Sequence, residues 1–247
     1  LVASLCIEAN ISISPDIADA INLAHATEES PEGRSLLEDL QQNLIIAKNE
    51  RIPICQDTGM AVVFVRIGQD IRIIGGSLSE AINAGVSKGY TQGYLRASVV
   101  SDPIIRSNTG DNTPPVIHTE IVPGNTLLIT VAPKGFGSEN MSALKMLKPS
   151  DGTEGIKRFV LDTVIAAGAN PCPPVILGIG IGGTMEKAAL LSKQALLREA
   201  GSHNLLPHVS DMECELLDMI NDLGIGPGGL GGRNTALAVN IEVFPTH

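Results

Sequence analysis

The four cysteines are the side chains of this sequence that could carry out the most chemistry. Cys55 lies in the stretch RIPICQDTGM, directly before Gln56 and Asp57. Cys172 lies in NPCPP, where prolines on both sides restrict the backbone and remove amide donors. A thiol in a polar turn can be a nucleophile or a metal ligand, whereas a structural cysteine prefers an apolar stripe. Both loop cysteines are therefore candidates for a reactive site.

The other two cysteines have different surroundings. Cys6 shares a predicted helical face with Val2, and Cys214 shares one with Leu217, so we expect both to be structural thiols. There is no CxxC pair to predict a structural zinc site. Two distant loop cysteines suit an iron–sulfur cluster or a catalytic thiol better than zinc. The sequence has five histidines, and none has a spacing that marks it as the base of a thiol enzyme.

Two further segments could bind an anion. The loop APKGFGSEN, with Lys134 and Ser138, enters a predicted helix, and amides at a helix start can bind a carboxylate or a phosphate. A capped helix start without a ligand fits the same pattern. Arg96 and Arg106 flank the irregular stretch SNTGDNTPP. Either arginine fits an ordinary surface residue, but a bidentate arginine is also a common partner of a carboxylate.

A glycine pattern formed by Gly178, Gly180 and Gly183 follows a predicted strand and precedes a predicted helix. This is the context of a dinucleotide-binding fingerprint. The helix leads into REAGSHNLLPH, however, and not into a strand that ends in an acidic residue. Glycines that let a helix pack closely on a sheet give the same pattern, and we favour that interpretation.

Composition limits the class of protein. The chain of 247 residues carries a net charge of −10 without a run of Lys or Arg, which argues against a nucleic-acid partner. No apolar run approaches the roughly 20 residues of a membrane span, and no signal peptide is visible. We expect a cytoplasmic protein with reduced thiols. The chain begins at Leu1 and stops at His247 directly after a predicted strand, so we expect the functional protein to extend further at both ends.

The hydrophobic pattern predicts the elements that position these groups. Helices are predicted over residues 1–49, with Ser30 as an N-cap, and again after Ser77. Strands are predicted at MAVVFVRIG and TALAVNIEVF, and the runs VIHTEIV and TLLITVAPK are predicted to form a hairpin through PGN. KGFGSENMSALKML is predicted as a loop entering a helix. We predict a mixed α/β (α+β) fold: one domain over residues 1–247, with N-terminal helices and a mixed β-sheet flanked by helices.

Five segments together resemble the α-subunit of class I fumarate hydratase, the iron–sulfur type. They are CQDTGMAVVFV, NTPP, PKGFGSENMS, NPCPPVILGIGIGGT and LGIGPGGLGGRNTALAVNIE, and they extend over essentially the whole chain. The resemblance implies a hydro-lyase of the tricarboxylic acid cycle that interconverts fumarate and L-malate. L-tartrate dehydratase α-subunits are close relatives, so conversion of L-tartrate to oxaloacetate is the alternative. CQDTGMAVV and GFGSEN are nearer to the fumarate version.

The resemblance also implies a four-iron four-sulfur cluster that is held by three cysteines. Its open iron would act as a Lewis acid on the substrate hydroxyl. Cys55 and Cys172 match two of the ligands, and Cys214 matches a position that is not a ligand. The third ligand is expected in a segment after His247. We therefore expect this chain by itself to lack a complete cluster.

The remaining site residues implied by the resemblance surround a small dicarboxylate. Asp57 is implied in proton transfer at the hydroxyl, and Phe136 stands where single-chain relatives usually carry glycine. His247 matches a histidine that reaches the neighbouring protomer's site. The implied substrate-binding residues are Gln56, Arg96, Gly135, Gly137 and His247.

Partners are implied as well. The base that acts at carbon is expected from a β-subunit or a second domain, in a homodimer of α-subunits or an α₂β₂ assembly. Outside enzymes, the alternative is a non-catalytic domain that uses its glycine loops to hold an anion.

Overall fold

The computed structural model describes all residues from Leu1 to His247. Helices and strands alternate along the chain, which confirms the predicted mixed α/β class. None of the helices is both long enough and apolar enough to cross a bilayer. The α-helices are α1 (Val2–Ile11), α2 (Pro15–Thr27), α3 (Pro31–Glu50), α4 (Leu78–Gln92), α5 (Phe136–Glu139), α6 (Gly152–Ala167), α7 (Met185–Ala195) and α8 (Pro207–Asn221). The β-strands are β1 (Met60–Gly68), β2 (Val116–Val122), β3 (Leu127–Lys134), β4 (Val175–Gly182) and β5 (Ala236–Phe244).

The chain divides into two compact units, each with its own sheet. The first unit comprises Leu1–Ile13 and Asn43–Phe136, and it contains a three-stranded mixed sheet of order β2-β1-β3. The second unit comprises Ser14–Gln42 and Gly137–His247, and it contains the parallel pair β4-β5. The predicted mixed sheet is thus the sheet of the first unit.

The core of the first unit forms around β1. Five consecutive residues of this strand, Ala61–Val65, are buried. Every second one belongs to a hydrophobic cluster that also contains Val86 and Tyr90 of α4 and Cys6 of α1. β1, α4 and β2 follow one another as a parallel crossover unit. The turn that leads into β1 is therefore attached to the most deeply buried strand of the unit.

The predicted hairpin between β2 and β3 is wrong. β1 lies between them, parallel to β2 and antiparallel to β3. The connecting PGN segment crosses the end of β1, where Asp70 N donates to Gly124 O at 3.0 Å. A Cβ added at Gly68 would lie 2.2 Å from that same oxygen, so only glycine fits there. Turn residues predict where a chain reverses direction, but they do not decide which strands pair. Here the apolar β1 is buried by having a neighbouring strand on each of its two edges.

In the second unit, α7 packs directly on the glycines of β4. A Cβ added at Gly180 would lie 2.0 Å from Ala188 O, and one added at Gly178 would lie 2.2 Å from Ser192 O. These glycines are inside a strand that faces a helix, and not in a loop that could hold a phosphate. The close-packing interpretation of the glycine pattern is therefore the one that the fold supports. The unit's core lies where α6 and α8 meet β5.

Two helix caps are confirmed and one helix is not. Gly33 N donates to Ser30 Oγ at 3.2 Å, and Glu80 N donates to Ser77 Oγ at 3.4 Å. The helix predicted after the glycine loop is a single turn, α5, and residues 140–148 are irregular. The apolar side chains of that stretch, such as the exposed Met146, have no core to pack against, so the longer helix gains no tertiary stabilisation.

Candidate functional site

The turn between α3 and β1 presents Cys55 at the surface. Its Sγ accepts a hydrogen bond from Asp57 N at 3.4 Å and lies 3.5 Å from Oε1 of Gln56. The start of the turn is fixed by Ile54 N, which donates to Asn10 O at 2.9 Å. The turn thus displays an accessible thiol with an amide donor already aimed at it.

The carboxylate of Asp57 connects this turn with the glycine loop. Oδ1 accepts from Gly59 N at 3.1 Å, and Oδ2 accepts from Phe136 N at 2.9 Å. A Cβ added at Gly135 would lie 3.1 Å from Oδ2, which is tighter than an ordinary contact. Because Phe136 contributes its backbone amide, this connection does not depend on the phenyl group. Asp57 and Gly135, both predicted site residues, are therefore neighbours.

Arg96 is anchored beside the same turn by Thr58. Arg96 N donates to Thr58 Oγ1 at 3.0 Å, and the Thr58 hydroxyl lies 3.3 Å from Arg96 O. The carbonyl of the buried Thr58 accepts the hydroxyl of Tyr90 at 2.8 Å, and burial raises the pKa of that phenol. The side chain of Arg96 is exposed and can reach an anion. Arg106, the other candidate, lies in an exposed loop at φ 60°.

Asn112, the first residue of the NTPP segment, belongs to this cluster but was not among the predicted site residues. It is completely buried. Its Nδ2 donates to Gly59 O at 2.9 Å, and its Oδ1 accepts from Ser98 N at 2.7 Å and from Val99 N at 3.0 Å. Its φ of 62° is a conformation that asparagine tolerates better than most residues. An asparagine inside a run of turn residues was the available signal in the sequence.

Cys172 is presented by a second rigid loop, in the second unit. The residue is exposed and has a φ of 57°, which is uncommon for a residue with a side chain. Its N donates to Ala169 O at 3.0 Å, and the carbonyl of Pro173 accepts from Gly228 N at 2.7 Å. The glycine-rich loop around residues 225–232 therefore supports the loop that carries Cys172.

A buried carboxylate, Glu28, organises this glycine-rich loop. It accepts hydrogen bonds from Ser30 N at 2.9 Å, Arg233 N at 3.0 Å, and both Asn234 N and Asn234 Nδ2 at 2.9 and 2.8 Å. Burial alone would raise the pKa of Glu28, but these N–H groups together lower it to about 2. The residue lies far from the loop in sequence, so no local pattern pointed to it.

The end of the glycine loop lies against the segment before Cys172. A Cβ added at Gly137 would lie 3.5 Å from Asn170 O, and Asn170 Nδ2 lies 3.6 Å from the Met141 sulfur. An ion pair between Glu139 and Lys193 connects α5 with α7. Gly137, one of the predicted substrate residues, is thus a neighbour of the Cys172 loop within the second unit.

His247 lies at the other end of this unit's sheet. It is exposed and follows β5, whereas Cys172 precedes β4. Because β4 and β5 run parallel, the two residues are separated by the length of the strands, roughly 25 Å for eight residues. His247 lines a surface cleft with Lys187 and Phe244. The fold of this unit therefore does not bring His247 to Cys172.

The remaining cysteines differ from each other. Cys6 is fully buried in the first core, as predicted, and burial raises the pKa of its thiol to about 11. The predicted burial of Cys214 is wrong. α8 turns Met212 and Leu216 into the core and leaves Cys214 exposed, 3.9 Å from Nδ1 of His203. No group of three or more His, Cys, Asp or Glu side chains is arranged so that it could hold a metal ion.

Comparison with known proteins gives the family. The model of the family described as Fumarate hydratase (Fumerase) matches residues 1–247, the whole chain. The chain belongs to this fumarate hydratase family. Its motif-bearing turns, around Cys55 and Cys172 and at the glycine loop, are thus the turns of a fumarase-family fold.

Members of the family with similar sequences occur in archaea and bacteria. A protein of Methanocaldococcus jannaschii named "Putative L(+)-tartrate dehydratase subunit alpha" is 44% identical over 255 residues, covering 100% of this chain and 88% of that protein. The L(+)-tartrate dehydratase subunits alpha of Escherichia coli and Shigella sonnei are each 32% identical over 251 residues, covering 100% of this chain and 82% of each relative. Fumarate hydratases and tartrate dehydratases are both hydro-lyases, enzymes that add or remove water.

Proposed function

We propose that the chain is the α-subunit of an iron–sulfur hydro-lyase that interconverts fumarate and L-malate. The observation that carries the proposal is the cluster in the first unit. There, the backbone amide of Asp57 donates to the exposed Cys55 sulfur, and the Asp57 carboxylate accepts from the glycine loop. The next residue, Thr58, holds the backbone of the exposed Arg96. These are the groups that a dicarboxylate undergoing hydration requires: a metal ligand, a proton carrier and an anion partner.

The thiols fit an iron–sulfur cluster. Cys55 and Cys172 are exposed, reduced and carried by rigid turns, and the Cys55 sulfur already accepts an amide hydrogen bond. Cys6 does not fit, because it is enclosed in the core. We propose Cys55 and Cys172 as two of the ligands. When bound, the cluster would supply a Lewis acid that polarises the substrate hydroxyl.

The side chains of this chain have distinct roles in the proposed reaction. Arg96 binds a substrate carboxylate, because its guanidinium is exposed while its backbone is anchored to Thr58. Asp57 carries the proton at the hydroxyl oxygen, and Gln56 next to it hydrogen-bonds the substrate. The Gly135 region lets the substrate approach the backbone closely. Charge that develops beside a carboxylate needs cationic groups nearby, so Arg96 also stabilises the transition state.

A partner completes the proposed enzyme. The relatives are named as alpha subunits, which supports a β-subunit in the assembly. We propose that the β-subunit supplies the base at carbon, in a homodimer of α-subunits or an α₂β₂ complex. Because the four thiols are free and a cluster requires reduced thiols, we propose a cytoplasmic location. The proposed interconversion of fumarate and L-malate would give the enzyme a role in the tricarboxylic acid cycle.

L-tartrate is the second candidate substrate. The names of the similar relatives favour it, since they are tartrate dehydratase subunits. The same groups could act on it, because L-tartrate has the same two carboxylates and a hydroxyl that leaves as water. The product would be oxaloacetate.

The test uses the chain co-expressed with its β-subunit and reconstituted anaerobically with ferrous iron and sulfide. We expect cluster absorbance and the hydration of fumarate to L-malate. Turnover of L-tartrate to oxaloacetate without action on malate would establish the second candidate. A loaded complex that retains fumarate in equilibrium dialysis but converts neither substrate would contradict both and identify an anion-binding domain.

A further inference from the structure

We infer that Asn112 is a positioning residue for the proposed reaction, because its side chain fixes the turn Cys55–Gly59 against the segment that carries Arg96. The inference rests on the proposed function, since Asp57 and Arg96 are the groups whose separation it would set. Asn112 begins the NTPP motif and touches neither the thiol nor the carboxylate through its side-chain bonds.

Three side-chain hydrogen bonds of Asn112 end on backbone atoms of these two segments. Nδ2 donates to Gly59 O at 2.9 Å, while Oδ1 accepts from Ser98 N at 2.7 Å and Val99 N at 3.0 Å. The residue is completely buried, so water cannot easily replace a lost bond. Only a carboxamide offers a donor and an acceptor together at this length, which explains why an asparagine stands here.

A second pair of hydrogen bonds joins the same two segments. Thr58 Oγ1 accepts from Arg96 N at 3.0 Å and lies 3.3 Å from Arg96 O. Residue 58 is therefore linked to residue 96 directly, and residue 59 is linked to residues 98 and 99 through Asn112. If the bond to Gly59 is lost, the Thr58 connection acts as a pivot, and the Asp57 carboxylate can move relative to Arg96. A misplacement of about 1 Å can lower a rate about 100-fold.

Two variants at Asn112 remove different sets of its hydrogen bonds without straining the backbone. At the φ of 62° both glycine and aspartate are tolerated. Asn112→Gly removes all three bonds. Asn112→Asp keeps an acceptor for Ser98 and Val99 but, when ionised, has no donor for Gly59. The matched control is Asn83→Asp, because Asn83 in α4 also donates to a carbonyl, Ser79 O at 2.7 Å, away from the turn.

The first readout needs no cluster and no substrate. In the metal-free full chain, hydrogen–deuterium exchange of the backbone amides is followed by mass spectrometry. We expect faster exchange in the peptide covering Cys55–Gly59 in both Asn112 variants, because the amides of Asp57 and Gly59 are hydrogen-bonded within the turn and open more often when it loosens. The peptide around Cys172, in the second unit, should exchange at the wild-type rate and serves as the internal reference. Asn83→Asp should leave both exchange rates unchanged.

The second readout uses the loaded complex, with kcat divided by cluster content. We expect kcat per cluster to fall about 10- to 100-fold in Asn112→Asp, with a smaller change in KM. A merely structural role would lower the yield and Tm but leave kcat per cluster unchanged. Wild-type kcat per cluster together with wild-type exchange of the Cys55–Gly59 amides in Asn112→Asp would overturn the inference. An inactive wild-type complex with faster exchange of these amides in the variants would overturn the proposed function while supporting the fixed turn.

Discussion

Asp57 has a structural role in the Cys55 turn, beside the chemical role that we propose for it. Both of its carboxylate oxygens accept backbone amides, from Gly59 at 3.1 Å and from Phe136 at 2.9 Å. Each oxygen still has a lone pair that a substrate hydroxyl could reach. These two hydrogen bonds from backbone N–H groups orient the carboxylate, and the one from Phe136 directs it toward the glycine loop. We therefore expect the position of Asp57 to depend on the backbone of this loop and not on the Phe136 side chain.

Cys55, in a turn, and Cys214, on a helix, are both exposed and provide the residue-scale prediction. Cys55→Ser should abolish cluster binding, because a serine hydroxyl does not supply a thiolate ligand. Cys214→Ser should retain the cluster, because Cys214 lies on a regular helix beside His203. Iron and sulfide content after anaerobic reconstitution of the complex measures both effects.

The Cys214 variant is the control for the loss of any surface thiol, since both residues are exposed. Loss of the cluster in Cys214→Ser, or a full cluster in Cys55→Ser, would contradict the proposed ligand assignment.

At the scale of elements, the Glu28 carboxylate determines whether the glycine-rich loop keeps its shape. The folded pKa of Glu28, about 2, lies below the ordinary value of 4.5, so this group stabilises the fold above pH 4.5. The stabilisation is lost as the pH falls through the folded pKa. Glu28→Gln should lower the free energy of unfolding by about 3 kcal/mol at neutral pH, and the difference should shrink below pH 4.5. Urea denaturation over a pH series measures this difference.

Glu29→Gln is the matched control, because Glu29 is the neighbouring residue and its side chain is exposed. A pH-independent difference between wild type and Glu28→Gln, or an equal effect of both variants, would contradict this account.

The contact between β4 and α7 gives a second prediction at this scale. Gly180→Ala should destabilise the chain by about 1–3 kcal/mol, because the added Cβ would meet Ala188 O at 2.0 Å and force α7 away from the strand. Gly137→Ala is the stability control, since its Cβ would meet only Asn170 O at an ordinary 3.5 Å. Thermal unfolding measures both. If Gly180→Ala unfolds like the wild type, the close-packing explanation of the glycine pattern is incorrect.

The elements also show which features local sequence can predict. Ser30 and Ser77 were predictable caps, because an N-cap needs only a hydroxyl and an amide three residues later. The order β2-β1-β3 was not predictable in the same way, because strand pairing depends on contacts between distant segments. The longer helix predicted after the glycine loop was wrong for a related reason. A helix is stabilised mainly by packing on a distant segment, and local sequence does not show whether such a surface is available.

At the scale of the whole molecule, net charge and local charge act in opposite directions. The chain carries −10 overall, which repels a dicarboxylate at long range. The exposed Arg96 and the backbone amides of the turns offset this repulsion only at short range, where salt screens little. We therefore expect an anionic substrate to be held by specific contacts within the proposed site, and further cationic groups from a partner would strengthen them.

The dependence on a partner is the prediction at this scale. We expect the reconstituted chain alone to show no fumarate hydration, because the proposed base at carbon belongs to the β-subunit. The co-expressed complex should elute as one larger species and should be active. Size-exclusion chromatography with light scattering, together with the hydration assay on each fraction, measures both properties. Turnover by the chain alone would contradict the proposed division of the site.

The sequence by itself determined the mixed α/β class and the family, and it predicted which turns carry the proposed site. Cys55 and Cys172 were recognisable because polar, proline-bounded turns differ from an apolar helical face within a few residues. Only the tertiary structure decided that Asn112 supports the Cys55 turn, that Glu28 organises the glycine-rich loop and that Cys214 is exposed. The physical reason is that burial and hydrogen-bond partners depend on segments tens to hundreds of residues apart, whereas capping, turn chemistry and periodicity act over a few neighbouring residues.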